Sequence, residues 1–417
     1  MMSNILKVLS ILGNPHLDLQ NIFYIVGTTG KTSIGRYIVS ILQASGNKVN
    51  AIFNGNLESD NHRIVVNGKI IDDNSMSILA DKIQSIAKKN SIALNGDEMR
   101  SLMGILAISQ NPSATNVIET GAGHKNDYLN ILQENPYMTA IMGPIDVDHA
   151  FVNGNTPELN MVSHMNLLST NSHLISSPQS PNILKILLNI TKQHNITFQM
   201  CNRNFKIEQS SKTNEVNFFI DGECLSFSLN RRYMPYQLEN IGTAIAALYV
   251  NSDKYDITSG AVSMGINSAK VNGQMQQIQF DDADGGFKNS KVYYDAFSNG
   301  IGATTMLKEL DRKFVNGVPH KSLYVILSLD NLHQTYNMMR PLKDGIKKCF
   351  VFYNRRTLYP TPIQETKDAI GSLGIDLWEV NSFFDAMNII AYENNMANIV
   401  IAGCANIVND IRDFIGE

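Results

Sequence analysis

Nine residues, Ile25–Ser33, read IVGTTGKTS and constrain the chain more than any other stretch. They follow the apolar, β-branched run IFYIV, a buried-strand pattern closed by Gly27. After them, Ile34, Tyr37, Ile38, Ile41 and Leu42 recur at helical spacing, and Gly46 supplies a stop. KVNAIF then reads as a second strand. Strand, glycine turn, helix and strand in this order open an α/β sheet, with the turn at the carboxyl end of the first strand. The common phosphate-binding pattern puts four residues between its first glycine and Gly-Lys. Here only Thr28 and Thr29 separate Gly27 from Gly30.

The alternation continues. Strands are predicted at TNVIET, MTAIMG and SHLISSP, with helices at DEMRSLMGILAIS, PELNMVSHMNLLS and NILKILLNITKQH. A β-like insert, VNFFIDGECLSFSLN, precedes an apolar helix at QLENIGTAIAALYV. Past a turn-rich break near Val271 the pattern restarts. Strands are read at KVYYDAF, SLYVILSL, CFVFY and ANIVIAG, and helices at GATTMLKELDRKF, SFFDAMNIIAYEN and IVNDIRDFI. The expected class is α/β: a phosphate-loop domain with a mostly parallel sheet over 1–271, then a smaller Rossmann-like α/β domain over 272–417.

Composition narrows the function. At 43% hydrophobic residues the chain can build proper cores. Charged residues are only 17% and the net charge is −4, so there is no basic field for nucleic acid, and an anion must be held by local lysines and helix N-termini. Cys201, Cys224, Cys349 and Cys404 have no metal-knuckle or disulfide spacing, which fits a reducing cytosol. The apolar N-terminal run is too short to span a membrane and lacks a basic leader, so no membrane association and a cytoplasmic location are expected.

A glycine turn between strand and helix is common in α/β proteins, so the loop must be weighed against that bland reading. Its amides and the dipole of the following helix converge where an anion is stabilised. Lys31 reaches terminal phosphates as a point charge, and Thr32 places a hydroxyl where Mg²⁺ sits. Neither residue has a packing role at a helix start. Gly27, Thr28, Thr29, Gly30, Lys31, Thr32 and Ser33 are therefore read as an ATP site.

The shortened loop resembles that of the Mur ligase superfamily. LGNPHLDLQNIFYIVGTTGKTS, NLESDNHRIVVNGKII, VIETGAGHKNDYLN, IDVDHAFVNGNTPE, YQLENIGTAIAAL and IVIAGCANIVNDIRDF are similar, in colinear order, to segments of its folylpolyglutamate synthase/dihydrofolate synthase branch. Only 26 residues precede Gly27, which leaves no room for the leading substrate domain of cell-wall Mur ligases. The resemblance implies an ATP- and Mg²⁺-dependent ligase that adds L-glutamate to a folate or dihydropteroate carboxylate through an acyl phosphate. Its partners are then small molecules, and a monomer is expected.

The resemblance also implies roles, residue by residue. Glu119 matches the carboxylate on Mg²⁺, His149 a histidine on a second metal, and Asp148 its orienting neighbour. Gln237 and Asn240 match positions near adenine, and polar caps on an exposed helix face are their competing reading. Asp295 matches an aspartate that reaches the nucleotide across the domain cleft. Four positions depart from the family pattern. Asn54 stands for a metal-binding serine, Gln274 for an arginine on ATP, and Ser298 for a histidine. His164 stands for a carbamylated lysine, either as a neutral metal ligand or as a packed structural histidine. Lys31, His149, His164 and Asp295 are the candidate catalytic residues, and Thr32, Asn54, Glu119, His149 and His164 the candidate metal ligands.

Overall fold

The computed structural model describes residues 4–54, 59–110, 112, 114–121, 128–132, 138–146, 156–165, 173–280, 287, 289–297, 299–313, 318–329, 335–354, 361–394, 396–404 and 406–415. The fold is α/β, and the chain divides into two compact units, with the change of unit between Lys270 and Val271.

The first unit is built on an eight-stranded sheet. Its strands in chain order are β1 (Ile22–Val26), β2 (Val49–Ile52), β3 (Ile64–Val66), β4 (Lys69–Ile70), β5 (Thr115–Glu119), β6 (Met138–Met142), β7 (His173–Ser176) and β8 (Thr197–Met200). They lie in the order β4-β3-β2-β5-β1-β6-β7-β8. All pairings from β2 to β8 are parallel, and β3 and β4 add an antiparallel edge. The parallel part is covered by helices, so β1, β2 and β5 are buried along their whole length, as continuous apolar runs in such sheets must be. Tyr24, Ile118, Ala140 and Leu174, all fully buried, carry the core across four adjacent strands. An antiparallel three-stranded sheet, β9 (Phe205–Gln209), β10 (Glu215–Ile220) and β11 (Glu223–Ser228), follows in the same unit. Its central strand alternates exposed and buried residues, the mark of a sheet with one face in water.

Three helices of this unit, Asn4–Ile11, Asp73–Lys89 and Ser259–Ser268, escape the sequence pattern. The helix Asp73–Lys89 buries only Leu79, Ile83 and Ala87, a stripe one residue wide, and its start is fixed by the Asp72 carboxylate accepting from the Ser75 amide at 2.8 Å. The helix Ser259–Ser268 is short and contains two glycines, and the Thr258 hydroxyl caps it.

The second unit holds a six-stranded sheet. Its strands are β12 (Gln276–Ile278), β13 (Lys291–Asp295), β14 (Leu323–Ser328), β15 (Ile346–Val351), β16 (Leu377–Glu379) and β17 (Asn398–Gly403), in the order β12-β13-β17-β14-β15-β16. All pairs except β12–β13 are parallel. β15 begins three residues before the predicted CFVFY strand and stops at Val351. The pair Lys347–Lys348 hides its start from a hydrophobic reading, yet Lys348 is buried and ion-paired to Glu393.

In the first unit β1 stands between β5 and β6; the chain runs from β1 outward to β2, β3 and β4, returns to β5 beside β1, and then crosses β1 to β6 on its other side. The carboxyl ends of these strands open a crevice at the point where strand order reverses, which is where open α/β sheets bind ligands.

Candidate functional site

The glycine turn has the backbone that its sequence requires. Gly27 has φ 129° and Gly30 φ 78°, and Gly30 caps the helix Lys31–Ala44. A side chain on Gly27 would stand 2.9 Å from the Gly143 nitrogen, and one on Gly30 2.7 Å from the Asn240 carboxamide oxygen. Only glycine satisfies both the dihedral and the close approach at these positions. The Lys31 ammonium folds back over the turn, donating to the Gly27 carbonyl at 2.7 Å and the Thr28 carbonyl at 3.4 Å. Its charge is thereby kept above the turn, at the start of a helix.

Strand register delivers the acid. Glu119, the last residue of β5, pairs with Ile25, two positions before Gly27. Its side chain is 1% exposed, and both of its oxygens accept from the Thr32 hydroxyl, at 3.0 and 2.9 Å. The Asn54 carboxamide donates to the Glu119 carbonyl at 2.8 Å. Thr32, Glu119 and Asn54 are thus brought together under Lys31, all carrying hard oxygen donors of the kind that suits Mg²⁺. Among the described residues no group of three or more His, Cys, Asp and Glu side chains converges. The donor set fits an ion that binds through one carboxylate and a hydroxyl and takes its remaining oxygens from water and phosphate.

A second layer of contacts, absent from the sequence reading, clamps the turn from the β6 side. The amides of Thr28 and Thr29 donate to the Pro144 carbonyl at 3.0 and 3.3 Å. The Thr28 hydroxyl donates to the Asp146 carbonyl and accepts from the Asp146 amide, each at 3.0 Å. Asn160, fully buried, donates from its carboxamide to that hydroxyl at 3.3 Å and also to the Asp146 carbonyl. Gln179 donates to the Gly143 carbonyl at 2.9 Å and accepts from the Ile145 amide at 3.0 Å. The one signal for Asn160 was its position four residues before His164, on a helix face otherwise made of Met161 and Met165.

The remaining sequence-predicted residues separate. His164 lies on the helix Pro157–Met165 and is fully buried, between Met161 and Met165 of the main core. Asn240 lies against Gly30, whereas Gln237, one turn earlier on the helix Pro235–Tyr249, accepts from the Met234 amide at 2.9 Å and caps its own helix. Both are only 4% exposed, so neither lies on an exposed helix face. Ser33 is buried at the helix start. Asp148, His149 and Ser298 lie outside the described residues.

In the second unit, Gln274 and Asp295 are neighbours. Gly273 accepts from the Ala296 amide at 2.9 Å, and Asp295, last residue of β13, accepts from the Met275 amide at 3.0 Å. Burial pushes the Asp295 carboxyl up to about 7, against the opposing pull of the Met275 and Phe297 amides.

No protein-family model matches the chain. It is similar to dihydrofolate synthase/folylpolyglutamate synthase of Bacillus subtilis, 23% identical over 320 residues that cover 74% of this chain and 72% of the relative. It is also similar to dihydrofolate synthetase of Saccharomyces cerevisiae, 22% identical over 321 residues that cover 76% and 73%. In fold it resembles Mycobacterium tuberculosis folylpolyglutamate synthase complexed with ADP and AMPPCP, with TM-score 0.83 and 19% identity over 99% of this chain and 95% of that one. E. coli FolC in complex with DHPP and ADP gives TM-score 0.81, with 18% identity over 99% and 93%. A bifunctional synthase with Mn, AMPPNP and L-glutamate bound gives 0.79, with 16% identity over 99% and 94%.

Proposed function

We propose, from the standing of this chain as a relative of the folylpolyglutamate synthase/dihydrofolate synthase family, that it is an ATP-dependent carboxylate–amine ligase. It adds L-glutamate to a folate or dihydropteroate carboxylate. The observation that carries this reading is the convergence of Lys31, Thr32 and buried Glu119 at the carboxyl ends of β1 and β5. A carboxylate buried beside a hydroxyl and a phosphate-loop lysine has no packing rationale, and it suits a magnesium nucleotide.

In this reading the loop amides and the start of the helix Lys31–Ala44 hold the nucleotide phosphates. Lys31 leaves its carbonyl partners for the terminal phosphates. Thr32 and Glu119 would hold Mg²⁺, with Asn54 fixing the Glu119 backbone, and the ion would supply charge neutralisation at the phosphates. The γ-phosphoryl moves to the acceptor carboxylate. ADP leaves, the glutamate amine attacks the acyl phosphate carbonyl, and inorganic phosphate departs. The clamp of Asp146 and Asn160 on Thr28 keeps the turn in one geometry, as positional catalysis requires. Asn240, which lies against Gly30, meets the base or ribose in this reading, and the resemblance assigns Gln274 and Asp295 to the nucleotide as well.

The bound nucleotides, metal, DHPP and glutamate named for the relatives support each part of this assignment. The test is a coupled assay with purified protein, ATP, Mg²⁺, glutamate and either dihydropteroate or tetrahydrofolate. Acceptor-dependent release of ADP and phosphate is expected. A second reading, ligation with a different acceptor, is favoured by His164: a histidine packed in the core cannot supply the negative charge that a carbamylated lysine would. ATP consumed with neither folate acceptor would move the assignment to that reading.

A further inference from the structure

The first unit contains a cavity of about 550 Å³ that the ligase reading does not use. It lies between strands β10 and β11, the last turn of the helix Pro235–Tyr249 and the segment that follows it. Its size falls within the usual range of small-molecule sites, roughly 300–1,000 Å³. Asn240, at the nucleotide end of the same helix, is nine residues from Tyr249, about 14 Å along the axis. The cavity is therefore separate from the phosphate loop.

Its chemistry is the reverse of a phosphate site. The floor is Phe218, Ile245 and Leu248, all buried, and the rings of Tyr249 and Tyr255 add aromatic wall. The rim carries Glu223, Asp253 and Asp256 against the single base Lys254. Among the described residues none of these four is in an ion pair; the Glu223 carboxylate is hydrogen-bonded to the Tyr249 hydroxyl. The helix Pro235–Tyr249 ends at the cavity, adding the partial negative charge of its carboxyl terminus. Aromatic faces, an excess of acid and a helix carboxyl end all attract positive charge, while the floor takes apolar surface.

From this combination we infer that the cavity binds a small organic cation, a protonated amine on an aromatic or branched aliphatic body. The amine sits among the rim carboxylates and the body lies on the partly exposed Leu225, Ile257 and Tyr249 ring, above the buried Phe218 and Leu248. Because Glu223, Asp253 and Asp256 are exposed, their attraction is screened over about 8 Å at physiological salt, so binding weakens as salt rises. Phosphates and carboxylates are repelled.

The test uses the full-length chain and three probes of one shape: 2-phenylethylamine, 2-phenylethanol and 3-phenylpropanoate. Calorimetry and saturation-transfer NMR at pH 7 should show the amine binding several-fold more tightly than the alcohol, with no saturable signal from the carboxylate. Saturating ATP should leave amine binding unchanged. Asp253→Asn with Asp256→Asn should lower amine affinity to that of the alcohol and leave the alcohol unaffected. Lys254→Glu should do the opposite and strengthen amine binding, which keeps the test decisive where the double variant fails to fold. Equal affinity for all three probes, no saturable amine binding at millimolar concentration, or an unchanged amine affinity in a folded variant of either kind would each overturn the assignment.

Discussion

Glu119 and Asp295 occupy matching places in two different sheets. Each is the last residue of a parallel-paired strand, β5 in the first unit and β13 in the second, and each pairs in register with an apolar residue, Ile25 and Ala402. Their surroundings part them. Glu119 faces a hydroxyl and lies under a lysine-bearing turn, so its two oxygens are presented as metal donors. Asp295 accepts from the Met275 and Phe297 amides and is otherwise desolvated, which raises its carboxyl toward neutrality. The same position in the same kind of sheet therefore yields a carboxylate presented to a hydroxyl in one unit and a carboxyl pushed toward neutrality by burial in the other. What the strand end provides is a place; the turn beside it decides the chemistry.

The largest effect expected is on the first of these. Glu119→Gln keeps shape and removes a charge from the Mg²⁺ donors, so ligase turnover should fall about 100-fold or more. Thermal stability should change little, because the carboxamide can still accept from Thr32. Turnover equal to wild type across a Mg²⁺ titration would leave Glu119 no different from any buried strand-end residue and dissolve the comparison.

Lys31→Ala comes next. It removes the cation from the turn without touching Glu119, so loss should appear in ATP affinity and turnover together, by roughly 10–100-fold, as for other charge-assisted phosphate contacts. Nucleotide affinity measured by calorimetry, unchanged in a folded variant, would refute the anion role of the turn.

A smaller effect is expected at His164, where the first unit departs from its relatives. The residue is fully buried on the helix that carries Met161 and Met165, one turn beyond Asn160, whose carboxamide reaches Thr28. On the resemblance, which gives this position to a carbamylated lysine, an imidazole in place of that anion would hold a second Mg²⁺ more weakly. Half-saturation in Mg²⁺ should therefore be high in the wild type, and activity should not respond to bicarbonate. His164→Gln, which retains a polar donor, should lower activity about 10-fold at limiting Mg²⁺ and less at saturation. A uniform loss at every Mg²⁺ concentration would assign His164 to packing alone.

Much of this geometry was legible because adjacent positions carried it. The turn, its lysine and the helix behind it lie within nine residues, and the apolar strands before and after leave one place for them. Glu119 was legible for a similar reason, as an acid closing the apolar strand TNVIET. The clamp on Thr28 was not, because Pro144, Asp146 and Asn160 meet it from more than a hundred residues away, and two of these three meet it through backbone groups whose partners a sequence does not encode locally. Asn160, on the helix of Met161 and Met165, carries no local mark of the donor it aims at the turn. Gln237, matched to the nucleotide or read as a polar cap, accepts from the Met234 amide and caps its own helix. β15 was misread at its start since a buried lysine, satisfied by Glu393, resembles a surface residue until its partner is seen.

The smallest effect isolates the second carboxylate. Burial moves Asp295 from an ordinary value of 3.8 to about 7, so the folded second unit holds this proton where the unfolded chain has released it. Protonation thus favours the folded state, and the associated stability is full below about pH 4 and lost as pH rises through about 7. A shift of this size has an upper limit of about 4 kcal/mol, which residual solvent access reduces to about 1–2 kcal/mol. Asp295→Asn cannot ionise and keeps the acceptor oxygen for the Met275 amide. It should therefore be more stable than wild type at pH 8 and nearly equal at or below pH 4, by about 2–4 °C in melting temperature for each kcal/mol. The same substitution should erase an inflection near pH 7 in the ligase rate, with little change in ATP affinity at pH 6, where the wild-type carboxyl is mostly protonated. Melting curves for Asp295→Asn that run parallel to wild type from pH 5 to 8 would mean that the carboxyl is already solvated, and the contrast between the two strand ends would reduce to the presence of Thr32 alone.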